Sequence, residues 1–176
     1  MLRISVIPCF AVKSKCKAMK YLKLSNRLRA LADFVDIGAA VADIGTDHGY
    51  LSVYLVQNCS PTRIIASDIS AASLSAARRF AGEYNVAESI SFMVTPGLDG
   101  IAAADADTIV IAGMGGETIL QILQNAPWTK SKAIKLILQP QSKIDLLCRF
   151  LYNNGYEIKE TKSVLDKGKR YTIVRI

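Results

Sequence analysis

One histidine, His48, and four scattered cysteines, Cys9, Cys16, Cys59 and Cys148, without C-x-x-C spacing give the chain no cluster of soft ligands, so no metal is expected. The same sparse cysteines exclude a secreted disulfide scaffold, and reduced thiols in a cytoplasmic protein are the expectation. The apolar run from Ile4 to Val12 is too short to cross a bilayer and is interrupted by Pro8. A signal peptide puts charge before its apolar run and a small-x-small cleavage site after it, whereas here most of the lysines follow. Neither export nor membrane anchoring is therefore expected. Acids are missing from residues 1–29, which hold eight Lys or Arg, while the remaining chain holds 14 bases against 15 acids. The net charge of +7 is thus an N-terminal feature. Met19 stands just before the first helix signal, so residues 1–23 are expected to be a basic leader, disordered or the product of an upstream start site. A single domain is expected over 24–176.

What is present is apolar and periodic. With 51% hydrophobic residues in 176, the chain can bury one full core. Ser25 reads as an N-cap, followed by Leu28, Leu31, Ala32 and Val35 at helical spacing. Apolar strands are expected at 39–44, 63–67, 89–94, 108–112 and 133–138. Helices are expected from near His48 to Gln57 and over 71–84, 117–124 and 142–153. Strands separated by helices build βαβ units and a parallel sheet. The ending differs: "YEIKETKSVL" and "RYTIVRI" flank a tight connection at Gly168 and read as an antiparallel hairpin. The predicted class is α/β, a class I methyltransferase (Rossmann-like) fold with a mostly parallel seven-stranded sheet and a C-terminal antiparallel hairpin. Oligomeric state is left open.

The stretch "VADIGTDHGYL", Val41 to Leu51, has the outline of a glycine-rich nucleotide loop: a strand ends at Ile44, Gly45 allows a tight turn, and a helix N-terminus follows. A pyrophosphate would be repelled by Asp47. A cationic or zwitterionic ligand is not, and S-adenosylmethionine, with a sulfonium and an amino group, is complemented by Asp43 and Asp47. A second acid is expected at the end of the next strand, for ribose hydroxyls, and Asp68 stands 23 residues after Gly45. Plain turn chemistry is the competing reading of each residue alone.

A second unusual stretch, "IAGMGG" from Ile111 to Gly116, runs a strand into three glycines at the sheet edge where a methyl acceptor sits in this fold. Glycines there admit a flat base, or else they serve only close helix–sheet packing. The acid-or-Asn, Pro-Pro, aromatic motif of exocyclic adenine amine methylation is absent. A ring nitrogen such as adenine N1 has a free in-plane lone pair, and positioning alone can supply much of its catalysis, about 7 to 11 kcal/mol in the best cases.

"LSNRL" (24–28), "VADIGTDHGYL", "IAGMGG" and "LILQP" (136–140) together resemble the TrmK family of bacterial tRNA methyltransferases. The resemblance implies transfer of a methyl from S-adenosylmethionine to N1 of adenine 22 in tRNA. Position by position, it implies cofactor contacts at Asp43, Gly45, Thr46, Asp47, His48, Asp68, Gly97 and Gly113. It places Asp47, His48, Gly113 and Met114 at the reacting centre and Gly115, Gly116, Gln139 and Pro140 around the acceptor. Family members continue into a helical C-terminal extension, so either a truncated form or a tRNA grip from elsewhere is expected. In "TPGLDG" (95–100), Pro96 stands where the family favours an acid toward the cofactor adenine, with Asp99 available to compensate. His48 either orients the cofactor loop or acts near the acceptor base. Tyr50 stacks on the base or packs its helix. Asp107 caps a turn. Lys130, Lys132, Lys135, Lys167, Lys169 and Arg170 touch phosphates or are solvated faces. Two other readings stay open: a methyltransferase of the same fold acting on another RNA or a small molecule, and a non-catalytic cofactor- or RNA-binding module.

Overall fold

Two apolar runs, Ile109–Ala112 and Leu136–Leu138, and a third, Val41–Ile44, apolar except for Asp43, lack the polar alternation of a sheet with one wet face, and each lies in a strand buried on both sides. The computed structural model describes residues 20–176. Its strands are β1 (Ala40–Ile44), β2 (Arg63–Asp68), β3 (Ser91–Val94), β4 (Thr108–Met114), β5 (Lys135–Pro140), β6 (Glu160–Asp166) and β7 (Lys169–Arg175). Its α-helices are α1 (Asn26–Ala32), α2 (Tyr50–Cys59), α3 (Ala71–Glu83), α4 (Gly116–Asn125) and α5 (Ile144–Asn153). The seven strands form one sheet in the order β3-β2-β1-β4-β5-β7-β6, parallel from β3 to β5 and antiparallel at β7 and β6. This is the expected mixed sheet.

Two apolar clusters cover the two faces. Leu31 of α1, Val53 and Leu55 of α2 and Ala81 of α3 pack on Val41, Val110 and Ile137. On the other face, Ile119 and Leu123 of α4 and Leu147 and Leu151 of α5 pack on Ile44, Ile111 and Leu138. Ser25 caps α1 as expected, its hydroxyl accepting from the Leu28 N–H at 3.4 Å. The hairpin turn has Lys167 at φ 48° and Gly168 at φ 78°, the doubly positive pair that matches strand twist.

The boundaries move for local reasons. α2 starts at Tyr50 rather than near His48, because Asp47 (φ 53°) and Gly49 (φ 73°) hold the preceding residues out of the helix. The strand expected over 89–94 starts at Ser91, because Ser89 ends a short 3-10 turn at Ala87–Ser89 and Ile90 caps it. β4 runs on to Met114, so the first glycine of the glycine stretch belongs to the strand. Residues 1–19, most of the expected leader and with it Cys9 and Cys16, lie outside the described residues. From Lys20 the chain lies on α2: Gln57 donates to the Lys20 carbonyl (2.8 Å) and accepts from the Leu22 N–H (3.0 Å). Cys59 and Cys148 are free thiols.

Ile111 is fully buried in the middle of the sheet. Replacing it with alanine is expected to lower the unfolding free energy in urea by about 2–5 kcal/mol, with the circular dichroism of the native state kept.

Candidate functional site

Because β1 to β5 are parallel, their carboxyl ends meet at one edge, and every connection that leaves that edge can contribute to one cleft. The cleft has two lobes of about 300 Å³ each. One is lined by Asp68, Ile69, Pro96, Leu98, Asp99 and Ile122. The other is lined by Arg27, Asp43, Thr46, Tyr50, Gly113 and Gln141. Gly45 belongs to both lobes. Gly45 has φ 72°, a backbone that favours glycine, and a Cβ there would displace the Met114 side-chain end that lies between the lobes. Gly97 also lines the first lobe, with Ile122 packed against it.

The loop after β1 is tied to its neighbour. The Ser67 carbonyl accepts from the N–H groups of Gly45 (2.8 Å) and Thr46 (2.9 Å). The Asp68 carboxylate accepts from the Asp47 N–H (3.2 Å) and the Ser70 N–H (2.9 Å), and two bonds leave lone pairs for hydroxyl donors in the lobe it lines. Asp43 is 4% exposed, and its Oδ2 accepts from the hydroxyls of Thr46 and Ser52, both at 2.7 Å. Burial raises the Asp43 carboxyl above its ordinary pKa, the bonds from Ser52 and Thr46 pull it down, and the Asp68 charge pushes it up again. The inner wall of the cleft is therefore acidic. Arg27 is the one basic residue lining either lobe; its Nη1 donates to Gln139 Oε1 at 2.8 Å and its guanidinium lies over the Tyr171 ring.

The remaining predicted residues are distributed as follows. Asp47 lines the second lobe, and its Oδ2 is 2.8 Å from His48 Nδ1 at the solvent rim. His48 lines neither lobe and stacks on Tyr50, which Phe80 meets edge-on. Gly113 sits at φ 83° where the β4–β5 register slips, a bulge that bares the strand end beside Gln141. Gly115 caps α4, and a Cβ on Gly116 would lie 2.4 Å from the Lys143 carbonyl oxygen, so Gly116 lets α4 start directly against the entry to α5. Gln139 is fully buried, its amide held between Arg27 and the Pro140 carbonyl, which accepts from Nε2 at 2.8 Å. Pro140 lines an adjoining groove rather than either lobe.

Sequence reasoning missed Arg27, Ile69, Gln141 and Ile122. Arg27 had a signal, since it is the charged residue of "LSNRL"; Ile69 had one too, as the residue after the ribose acid. Asp107 fastens strand starts together, its carboxylate accepting from the Ala40 N–H (3.1 Å) and the Thr108 hydroxyl (2.8 Å). A larger opening of about 670 Å³ lies at the opposite sheet edge; it is lined by Lys130, Lys132 and Lys135 of the candidate phosphate contacts and by none of the predicted cofactor or acceptor residues. Several of its charges are paired with one another or with near neighbours: Lys135 with Asp36, Lys159 with Glu157, Arg175 with Glu160. Among the described residues no three His, Cys, Asp or Glu side chains group as a metal site, and no helix is long and apolar enough to cross a membrane.

Comparison with known proteins places this geometry. A methyltransferase domain family model matches residues 24–174. The tRNA (adenine(22)-N(1))-methyltransferase of Bacillus subtilis is 35% identical over 89% of this chain and 66% of its own. The crystal structure of the Bacillus subtilis M1A22 tRNA methyltransferase TrmK superposes with a TM-score of 0.81 at 34% identity, covering 88% of this chain and 66% of that one. A Streptococcus pneumoniae relative solved in complex with S-adenosyl-L-methionine superposes equally well, with a TM-score of 0.81 at 31% identity, covering 87% and 72%. The chain spans about two thirds of the length of the curated relatives it matches. It belongs to the methyltransferase domain family and, within it, to the TrmK family.

The buried Asp43 has a consequence for stability. An acid whose folded pKa is raised contributes stability that is full below its unfolded value, about 3.8, and is lost as pH rises through the folded value. Asp43→Asn removes that loss. In urea titrations of cofactor-free protein at pH 4 to 8, the stability of the variant relative to wild type is expected to increase with pH; a decrease would contradict the burial penalty.

Proposed function

We propose that this member of the TrmK family transfers a methyl group from S-adenosylmethionine to N1 of adenine 22 in tRNA, in the cytoplasm, using one methyltransferase domain over residues 24–176. The observation that carries the reading is the two-lobed acidic cleft turned about Gly45, whose two chambers and carboxylates complement a nucleoside joined to a zwitterionic, cationic tail. The names of the TrmK relatives supply the acceptor.

The residues fit the cofactor. Asp68 has acceptor capacity for the ribose hydroxyls, and Ile69 and Leu98 give the adenine an apolar wall. Pro96 occupies the expected acid position, and Asp99 lines the same lobe three residues on. In the second lobe, Asp43 and Asp47 complement the amino group and Arg27 complements the carboxylate. When bound, S-adenosylmethionine supplies an electrophilic methyl on a positively charged sulfur.

The protein's part is placement. The Gly113 bulge and Met114 form the floor where the lobes meet, bare enough for a flat base to approach. N1 lies on the pairing edge of adenine, so the base must leave any stack or pair before it enters. Tyr50, half exposed and braced by Phe80, offers that base a ring face. The N1 lone pair attacks directly and leaves the ring cationic. Asp47, held at the rim with His48, adds a carboxylate to the cleft that receives this positive charge. No strong base is required, and holding the reactants in line accounts for the greater part of the rate.

The test is methyl transfer from labelled S-adenosylmethionine to unmodified bulk tRNA, with nucleosides identified by mass spectrometry. A rise in 1-methyladenosine is expected; cofactor binding without transfer would point to another acceptor. Asp68→Ala is expected to weaken cofactor binding roughly tenfold or more in calorimetry, as loss of a bond to a charged acceptor does. Gly113→Val is expected to suppress transfer while the cofactor dissociation constant stays within about twofold; equal loss of both would make the glycine a folding residue.

A further inference from the structure

Beside the second lobe the sheet opens. β5 and β7 pair through Ile137↔Arg175 and Leu138↔Val174, and Leu136 and Ile176 exchange N–H···O bonds in both directions. Continuing this register would set Pro140 against Thr172. Pro140 has no N–H to give, and its carbonyl is already taken by the Gln139 amide. The pairing stops, and the first half of β7 is left without a strand on its inner edge. The gap is a groove of about 220 Å³ lined by Pro140, Gln141, Ser142, Lys169, Arg170 and Thr172 among others.

Three observations select its occupant. No carboxylate lines the groove, and among the described residues Lys167, Lys169 and Arg170 take part in no ion pair. The Arg170 guanidinium has one protein hydrogen bond, to Ser163 Oγ at 3.3 Å, and Asp166, the register partner of Lys169, is the single acid of the hairpin tip. Second, Gln141 lines both the groove and the second lobe of the cleft, where Gly113 also lies, so the two are continuous. Third, the edge of β7 that is open among the described residues adds backbone donors to the cationic side chains. A narrow, polyanionic, flexible chain entering beside a flat base fits this combination.

We propose that the β5–β7 groove binds the sugar–phosphate backbone flanking the target nucleotide, with Lys169 and Arg170 on its phosphates. The proposal rests on the tRNA methyltransferase reading and deepens it by fixing the path of the strand away from the cleft.

The experiment compares wild type with Lys169→Glu/Arg170→Glu and with Lys130→Glu/Lys132→Glu, a charge-matched control at the opposite sheet edge. Binding of unmodified tRNA is read by fluorescence anisotropy across a salt series, and methyl transfer kinetics are measured alongside. For the groove variant, tRNA affinity is expected to fall and KM for tRNA to rise roughly tenfold, with a salt slope shallower by about 2. Its S-adenosylmethionine affinity is expected to be unchanged, which reports an intact fold, and Lys169→Gln/Arg170→Gln is expected to give a smaller shift in the same direction. Equal losses in the control, or none in the groove variant, would overturn the proposal. If wild type binds tRNA but methylates none, the reaction assignment fails while anisotropy still decides the groove; if wild type does not bind tRNA, both fail.

Discussion

The cleft hangs from β1. That strand pairs with β2 on one side and β4 on the other, and it ends where Gly45 and Thr46 donate to the Ser67 carbonyl of β2. Asp68, the next residue of β2, then reaches back to the Asp47 N–H. Two neighbouring residues of one strand thus fix three consecutive residues after the other, and Asp68 and the glycine turn cannot move independently. The same junction sets how near Met114 of β4 comes to Gly45, and with it the division of the cleft.

This arrangement carries a cost in the empty protein. Asp43 is buried with its charge opposed by the Asp68 carboxylate, and the hydroxyls of Thr46 and Ser52 relieve the penalty only in part. A carboxyl so placed disfavours its own charge in the empty protein. Sites that break local rules are where function concentrates. Arg27 shows the complementary device: its guanidinium is aimed by Gln139 and Tyr171, from β5 and β7, so the N-terminal helix is registered against the C-terminal half of the sheet.

Much of this was legible in the sequence. Apolar runs without alternation gave the buried parallel strands, and the loop's acids gave the ligand's charge. What stayed hidden depends on contacts between distant segments. Gly113 and Gly116 look alike in "IAGMGG", yet one bares a bulge beside the cleft and the other yields to a carbonyl 27 residues away at Lys143. The resemblance sets Gln139 beside the acceptor, and the fold buries it with its amide bonded to Arg27 at one end and to the Pro140 carbonyl at the other. His48 reads as a catalytic candidate from its loop position, whereas the positive φ at Asp47 and Gly49 leaves it on the rim, stacked on Tyr50.

The end of β5 joins these threads. On one side its pairing with β4 slips around Gly113, from Ala112↔Gln139 to Met114↔Pro140; on the other its pairing with β7 ends at Leu138. Gln139 and Pro140 thus stay with β4 across the slip but have no partner in β7. A proline interrupts a ladder only on the side its N–H would have served, and the Leu136 bond to Ile176 shows that this side faces β7. The glycine opens the sheet toward the cleft and the proline opens it toward the hairpin. Since Gln141 follows both and donates its N–H back to the Met114 carbonyl at 2.8 Å, the two openings keep a fixed separation and form one surface. A nucleotide and its adjoining phosphate need such a surface: a bare floor for the base and an open strand edge for the backbone, held together by residues that the sheet has let go.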